Sequence, residues 1–268
     1  MKKSTLKKVI SASRRIDMVG CFPEETAEIL ARKCPPEKVH TLVIWTKNPL
    51  PMLKHRQLNQ QLSKYDQIFL HLTVTGMGKT PLEPRVPSIE ENLNHLPEII
   101  RFLGSPARIR FRFDPIVHLI TPSGERYSNI SLFGEIAPKI TALGIHNVSI
   151  SWMSVYKKVR TRLEKHGYRI LPLTSAQQKQ DFNFLTSLTS EHNISLHFCS
   201  IPGLPISRCI DGELLNKLHP SGEICSTTRA KGQRKLCGCT ESWDIGWYHS
   251  CLHGCLYCYA NPKEDGEN

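Results

Sequence analysis

Residues 8–46, KVISASRRIDMVGCFPEETAEILARKCPPEKVHTLVIWT, carry the reading that decides the fold. Two runs rich in β-branched residues, Lys8 to Ala12 and His40 to Thr46, flank a helical pattern at Pro23 to Lys33 (PEETAEILARK). Strand, helix and strand in this order imply two parallel strands joined by a helical crossover. The pattern continues outward. Further strand-like runs lie at Gln67 to Thr75, Ala107 to Phe113, Asn147 to Met153 and Asn193 to Ser200. Helical patterns lie at Ser88 to Leu103, Leu132 to Leu143 and Ser175 to Ser190. Pro87-Ser88 followed by Glu90 and Glu91, and Thr174-Ser175, are helix-start signals.

The alternation predicts an α/β fold with a parallel sheet. Six strand units are fewer than the eight of a closed barrel, so a partial (β/α) TIM-like barrel is expected over residues 1–200. After Pro202 the chain turns to Gly, Pro, Ser, Cys and basic residues. Residues 201–268 are expected to form a Cys-rich region packed on the barrel, too poor in apolar residues to fold without metal or barrel contacts.

The 268 residues are 40% hydrophobic and 22% charged, which supplies a sizeable core and excludes a disordered or fibrous chain. No run approaches the ~20 apolar residues of a membrane span. The N-terminus is basic but lacks an apolar core, so a cytoplasmic protein with no membrane partner is expected. A net charge of +11 favours polyanions. Residues 1–60 hold twelve Lys/Arg against five Asp/Glu, and Arg229, Lys231, Arg234 and Lys235 cluster in the tail. Such clusters serve either as phosphate contacts or as a solvated surface.

Six of the ten cysteines crowd into the last 44 residues: Cys225, Cys237, Cys239, Cys251, Cys255 and Cys258. In a reducing compartment clustered thiols point to metal or catalysis rather than disulfides. Cys251-Leu-His-Gly-Cys255-Leu-Tyr-Cys258 has the spacing CX3CX2C. Three thiols at these offsets can hold a cuboidal iron–sulfur cluster while leaving one iron open. Cys199, Cys209, Cys237 and Cys239 form a second set that would bind an auxiliary cluster if they converge, Cys199 being otherwise a small buried hydrophobe. Cys225 is a reserve ligand, and Cys21 and Cys34 are expected to be ordinary thiols. The alternative for the tail is zinc, held by Cys237, Cys239, Cys251 and Cys255 with His219, His249 and His253 as spare ligands. That would make the protein a non-catalytic, zinc-stabilised nucleic-acid-binding protein.

The CX3CX2C loop, with Tyr257 just before its third cysteine, resembles the radical S-adenosylmethionine enzymes. The resemblance implies a 4Fe–4S cluster on Cys251, Cys255 and Cys258, S-adenosylmethionine on the open iron, and Tyr257 beside the adenine. It also implies a reductase or ferredoxin-type electron donor. Superfamily members carry this loop after the first barrel strand, whereas here it ends near the C-terminus. The rest of the chain is similar, in order, to the segments located after that loop in spore photoproduct lyase-like members. The matching segments are Ser11-Ala12-Ser13-Arg14-Arg15, Val43-Ile44-Trp45-Thr46-Lys47, Leu72-Thr73-Val74-Thr75 with Leu82-Glu83-Pro84-Arg85, and Arg110-Phe111-Arg112-Phe113-Asp114-Pro115. A circular permutation that moves the loop and its preceding strand, Asp244 to His249, to the end accounts for both facts. The chain also resembles an uncharacterised bacterial and archaeal family marked by SASRR, WTKNP, RFDP and a tail that here reads Gln233 to Ala260.

Function in parallel barrels gathers at the carboxyl ends of strands. Lys47, by its match to the lyase-like Thr-Lys strand, would pair with the carboxylate of S-adenosylmethionine, or else be a solvated strand-end lysine. Ser11, Ser13, Thr73 and Thr75 would hydrogen-bond its ribose or methionine part, or cap turns. Arg110, Arg112 and Asp114 alternate against Ile109, Phe111 and Phe113 and so share one face. Arg112 and Asp114 are the catalytic candidates. Arg14, Arg15 and Asp17 would meet an anionic substrate, nucleic acid included, or form surface ion pairs.

Overall fold

The computed structural model describes residues 6–248 and 250–263. Its strands are β1 (Lys8–Ala12), β2 (Val39–Thr46), β3 (Ile68–Thr73), β4 (Ile109–Ile116), β5 (His118–Ile120), β6 (Arg126–Ser128), β7 (Asn147–Trp152), β8 (Arg169–Ile170), β9 (Ser195–Phe198) and β10 (Trp243–Asp244). Its helices are α1 (Met18–Cys21), α2 (Pro23–Lys33), α3 (Leu50–Lys54), α4 (Arg56–Leu62), α5 (Ile89–Asn94), α6 (Leu96–Leu103), α7 (Phe133–Thr141), α8 (Lys157–Lys165), α9 (Ser175–Glu191) and α10 (Gly212–Leu218).

Seven strands form one parallel sheet in the order β10-β1-β2-β3-β4-β7-β9. β5, β6 and β8 form a small antiparallel sheet beside it. The sheet is open: among the described residues β9 and β10 are its two edges. The expected α/β architecture with parallel strands is therefore present, as an open sheet. The tail contributes its seventh strand through β10, shorter than the Asp244 to His249 strand read from the sequence. His249 lies outside the described residues.

Strand alternation divides the two faces. Leu42, Ile44, Leu70, Leu72, Phe111 and Phe113 point into the main apolar core beneath the helices. Val9, Val43 and Phe69 point the other way, against Cys209, Ile210, Leu215, Cys225 and Cys239 of the tail. Residues 209–239 thus shield a second sheet face that would otherwise be wet, which is how a segment with little apolar periodicity is held.

The helix expected over Ser88 to Leu103 is split at His95, where Pro97 starts a new helix. Proline is welcome in a first turn and costly inside a helix. Ser88 and Glu91 close a capping box on α5. On α2, Glu24 and Glu25 occupy the first turn and Arg32 and Lys33 the last, complementing the helix dipole. Among the described residues no helix is long and apolar enough to cross a membrane.

Candidate functional site

In a parallel sheet all strands end on the same edge. β10 pairs in parallel with β1, with Ile10 opposite Trp243 and Ser11 opposite Asp244. The chain leaving Asp244 therefore enters the carboxyl edge beside the exit of β1 (Ser13), the same edge on which β2 (Lys47), β3 (Thr75, with Glu83 further along) and β9 (Cys199) end. The Asp244 carboxylate clamps this junction, accepting from Ser11 Oγ at 3.1 Å, Ser13 Oγ at 2.7 Å, the Arg14 amide at 3.1 Å and the Gly246 amide at 3.0 Å. The Ser13 hydroxyl, a candidate cofactor donor by sequence, is turned to Asp244. A Cβ on Gly246 would lie 2.0 Å from Ser13 Oγ, so glycine is required there. Thr73 ends β3 opposite Arg112.

The CX3CX2C loop is tied down at both ends. Cys251 N–H donates to the Asn261 carbonyl at 2.7 Å, and Lys263 N–H donates to the Cys251 carbonyl at 2.8 Å. Arg162 Nη1 donates to the carbonyls of Leu256 at 3.0 Å and Cys258 at 2.9 Å. Arg85 donates to the carbonyls of Leu252 and Lys263. Cys255, Leu256 and Tyr257 are buried against Met77, Leu82, Val86, Val117 and Leu163.

Inside the loop, His253 donates from Nε2 to Asp17 at 2.7 Å. Asp17 also accepts from Thr46 Oγ1 at 2.9 Å, the Lys47 amide at 2.7 Å and the Gly20 amide at 2.7 Å. Burial would raise its pKa, but the bond and charge of His253 and the two amides outweigh it and hold the carboxyl below its ordinary value. Asp17 is thus an internal anchor rather than an anion contact, correcting the reading from its position after β1.

Lys47 Nζ lies 2.7 Å from Glu83 Oε1 and 2.9 Å from the Tyr257 hydroxyl. Tyr257 donates to the same Glu83 oxygen, and Thr75 Oγ1 donates to it at 2.8 Å. Burial opposes the Lys47 charge, yet Glu83, Cys255 and Asp114 together raise its pKa. Lys47 is thus a half-buried, paired cation rather than a solvated strand-end residue, and Tyr257 turns its hydroxyl to the Lys47–Glu83 pair.

Cys21 comes within 3.9 Å of Cys251, Sγ to Sγ, so it is not the bystander its sequence position suggested. The Cys21 thiol lowers the Cys251 pKa to about 6 against the opposing effect of burial. Burial raises the pKa values of Cys255 and Cys258. The donor set is three thiols of one short loop, of which Cys255 and Cys258 feel the Lys47 ammonium, soft ligands with a positive charge at hand, and its chemistry fits an iron–sulfur cluster. Loading it would release the thiol protons.

A second thiol group lies on the tail-facing side of the sheet. Cys209 and Cys239 lie in one buried cluster, with Cys199 and Cys237 packed against it. The neighbouring Cys199 and Cys239 thiols hold Cys209 well below its ordinary pKa, and the Cys239 thiol brings Cys237 to about 6. Arg112 Nη1 reaches Cys209 Sγ at 3.6 Å, and Arg234 Nη2 reaches Cys199 Sγ at 3.3 Å. Arg112 also pairs with Asp114, whose other oxygen accepts from Ser151. The catalytic candidates Arg112 and Asp114 therefore form an ion pair next to the second thiol group, and the Asp114 charge is felt at Lys47.

Cys237 and Cys239 gather with Cys199 and Cys209, not with Cys251 and Cys255 as the zinc grouping required. His253 is committed to Asp17. His219 stands with Asp66 and Glu223, their ligating atoms within 4.8 Å of one another, and Lys7 pairs with Glu223 at 2.7 Å. Cys225 packs near the Gly212 carbonyl at 3.8 Å, Sγ to O. In the basic tail cluster, Arg229 donates to the carbonyls of Cys237 and Lys235, so that charge helps shape the loop.

Glu83 and Asp244 do not stand out in the sequence as site residues, and His253, read there only as a spare zinc ligand, anchors the loop to Asp17 instead. Their signals are a Glu-Pro-Arg segment, a histidine between two motif cysteines, and an acidic residue next to Ile-Gly before the loop.

No curated protein matches the chain. Among solved structures, the carboxyl transferase domain of Rhizobium etli pyruvate carboxylase with 3-hydroxypyruvate is 10% identical with a TM-score of 0.29, covering 77% of this chain and 36% of that one. A variant of Rhizobium etli pyruvate carboxylase crystallised without acetyl coenzyme A is also 10% identical at 0.29, covering 73% and 21%. The chain spans about a third or less of the length of these structures, and likeness at this level carries no argument. A family model described as a domain of unknown function, DUF1848, matches residues 21–260, which include both thiol groups, and the chain belongs to that family.

Proposed function

We propose that the protein is a radical S-adenosylmethionine enzyme in which Cys251, Cys255 and Cys258 hold a 4Fe–4S cluster with one iron left for S-adenosylmethionine. The observation that carries this reading is the parallel pairing of β10 with β1. It delivers the CX3CX2C loop to the carboxyl edge of the sheet, where α/β folds assemble their sites. On this reading the open sheet is a partial (β/α) TIM-like barrel of circularly permuted radical S-adenosylmethionine type.

The bound cluster would supply one electron, taken from a reductase or ferredoxin-type donor, to break the sulfonium C5′–S bond and yield methionine and a 5′-deoxyadenosyl radical. The chain's own residues position and shield. Asp17, through His253, and Arg85 and Arg162, through loop carbonyls, fix the thiols. Lys47 offers a half-buried ammonium to the cofactor carboxylate, with Glu83 holding it in the meantime. Tyr257, Ser13 and Thr73 lie along the same edge for the rest of the cofactor. Arg112 and Asp114, paired with each other, are the catalytic candidates, and Arg14 and Arg15 after β1 are the contacts for an anionic substrate, nucleic acid being one member of that class.

Anaerobically reconstituted protein given reductant and S-adenosylmethionine should form 5′-deoxyadenosine, and Cys255→Ala should abolish its formation. Colourless protein with stoichiometric zinc and no cleavage overturns the reading in favour of a zinc-stabilised nucleic-acid-binding protein.

A further inference from the structure

Arg110 is 3% exposed, and neither its Nε nor its Nη1 has a hydrogen-bond partner. A buried cation left in this state is among the least favourable arrangements in a protein, and its usual remedy is a nearby anion. Cys209, Asp211 and Cys239 act to hold its charge, while burial and the like charge of Arg112 oppose it. On the same face, Arg112 reaches Cys209 and Arg234 reaches Cys199. Three guanidiniums therefore converge on one group of four thiols.

We propose that Cys199, Cys209, Cys237 and Cys239 ligate a second 4Fe–4S cluster, closed by four thiolates, with Arg110 as its buried counter-cation. Such a centre carries a net charge of about −2, which would compensate the buried Arg110 guanidinium whose Nε and Nη1 have no partner. The fold already packs the four cysteines in one cluster on the tail-facing side of the sheet. Zinc is disfavoured by spacing, since structural zinc knuckles place two to four residues between paired cysteines and Cys237 and Cys239 are separated by one. With four protein ligands the cluster has no open iron, so its role is electron relay rather than substrate activation. The proposal is independent of the reaction at the CX3CX2C loop.

The test uses the full chain with Cys251, Cys255 and Cys258 all changed to Ala, so that remaining iron belongs to the second group. After anaerobic reconstitution it should hold roughly four iron and four sulfide per chain, and adding Cys209→Ala should remove them. Arg110→Met gives a second, opposite pair of signals. It should raise the melting temperature of the metal-free chain, by removing an unpaired buried charge, and lower the iron retained in the triple variant by at least about half. A triple variant that holds no iron, or zinc in its place, overturns the proposal. So does an Arg110→Met chain that melts lower without metal and keeps its iron. Iron retained here without adenosylmethionine cleavage by the unaltered chain would sink only the reaction proposed above.

Discussion

Asp17 accepts a 2.7 Å hydrogen bond from His253, across most of the length of the chain, and both side chains are at least nine-tenths buried. The same carboxylate oxygen accepts from Thr46 and from the Lys47 amide, so one residue after β1 fixes the exit of β2 and the middle of the cysteine loop. Removing one partner of a buried charged pair leaves the other uncompensated. Asp17→Ala should lower the unfolding free energy by about 3–5 kcal/mol, measured by denaturant titration of the metal-free chain. A change no larger than that of an exposed ion pair would show that the link is dispensable.

Asp181 makes stability depend on acid. It is buried and accepts from His118 Nε2 at 2.8 Å, Trp152 Nε1 at 2.7 Å and Gln177 Nε2 at 2.9 Å. Burial raises its pKa, but these three bonds outweigh burial and leave it below the ordinary 3.8. A group depressed on folding stabilises above its unfolded pKa, and that stability is lost as pH falls through the folded value. The contribution should therefore be complete at neutral pH and disappear below about pH 4. Asp181→Asn should cost roughly 1–3 kcal/mol at pH 7 and flatten the acid limb of a melting-temperature profile. An unchanged acid limb would remove Asp181 as its cause.

Much of the architecture is legible in the sequence because it rests on local signals. Ile109, Phe111 and Phe113 alternate with Arg110, Arg112 and Asp114, and the apolar set does enter the helix-side core while Arg110 and Arg112 are buried on the other face. α2 matches its residues because its proline start and charged turns are local. The small sheet of β5, β6 and β8 was not legible, since its strands are two or three residues long and their pairing is tertiary. The two cysteine groups could be named from spacing. Cys21 and Glu83 could not, because what makes them part of the site is contact across 230 and 174 residues of chain.

Gly246 tests the β1–β10 junction. A Cβ there would stand 2.0 Å from Ser13 Oγ and 2.3 Å from Ser13 Cβ. Gly246→Ala should cost about 1–3 kcal/mol, as overpacking does. Combining it with Ser13→Gly should recover part of that loss, because the clashing atoms are then gone. Additive losses in the double-mutant cycle would contradict a direct contact.

Lys47 and Glu83 should be worth less as a pair than either is harmed alone. Glu83 is 1% exposed, so Lys47→Met strands a carboxylate in the interior, and Glu83→Gln strands an ammonium. Each single change should cost about 3–5 kcal/mol, while the double change should come closer to neutral. Equilibrium dialysis adds a functional arm: both chains lacking Lys47 should bind S-adenosylmethionine at least about tenfold more weakly, even where stability recovers. Unimpaired binding would separate Lys47 from the cofactor carboxylate.

Cys21 and Cys251 make the metal-free site sensitive to oxidation. Their sulfurs are 3.9 Å apart, and a disulfide needs about 2.05 Å, a closure within reach of modest side-chain movement. The contact lowers the Cys251 pKa and raises that of Cys21, so Cys251 is the better starting nucleophile of the pair. Diamide accepts the two electrons released as the S–S bond forms, and the thiol protons pass to the reduced diamide. Peptide mapping of the metal-free chain after such treatment should find Cys21 joined to Cys251. The cluster-loaded chain should resist, because Cys251 is then engaged by iron. Oxidation that proceeds equally in both forms would mean that Cys251 is not a ligand.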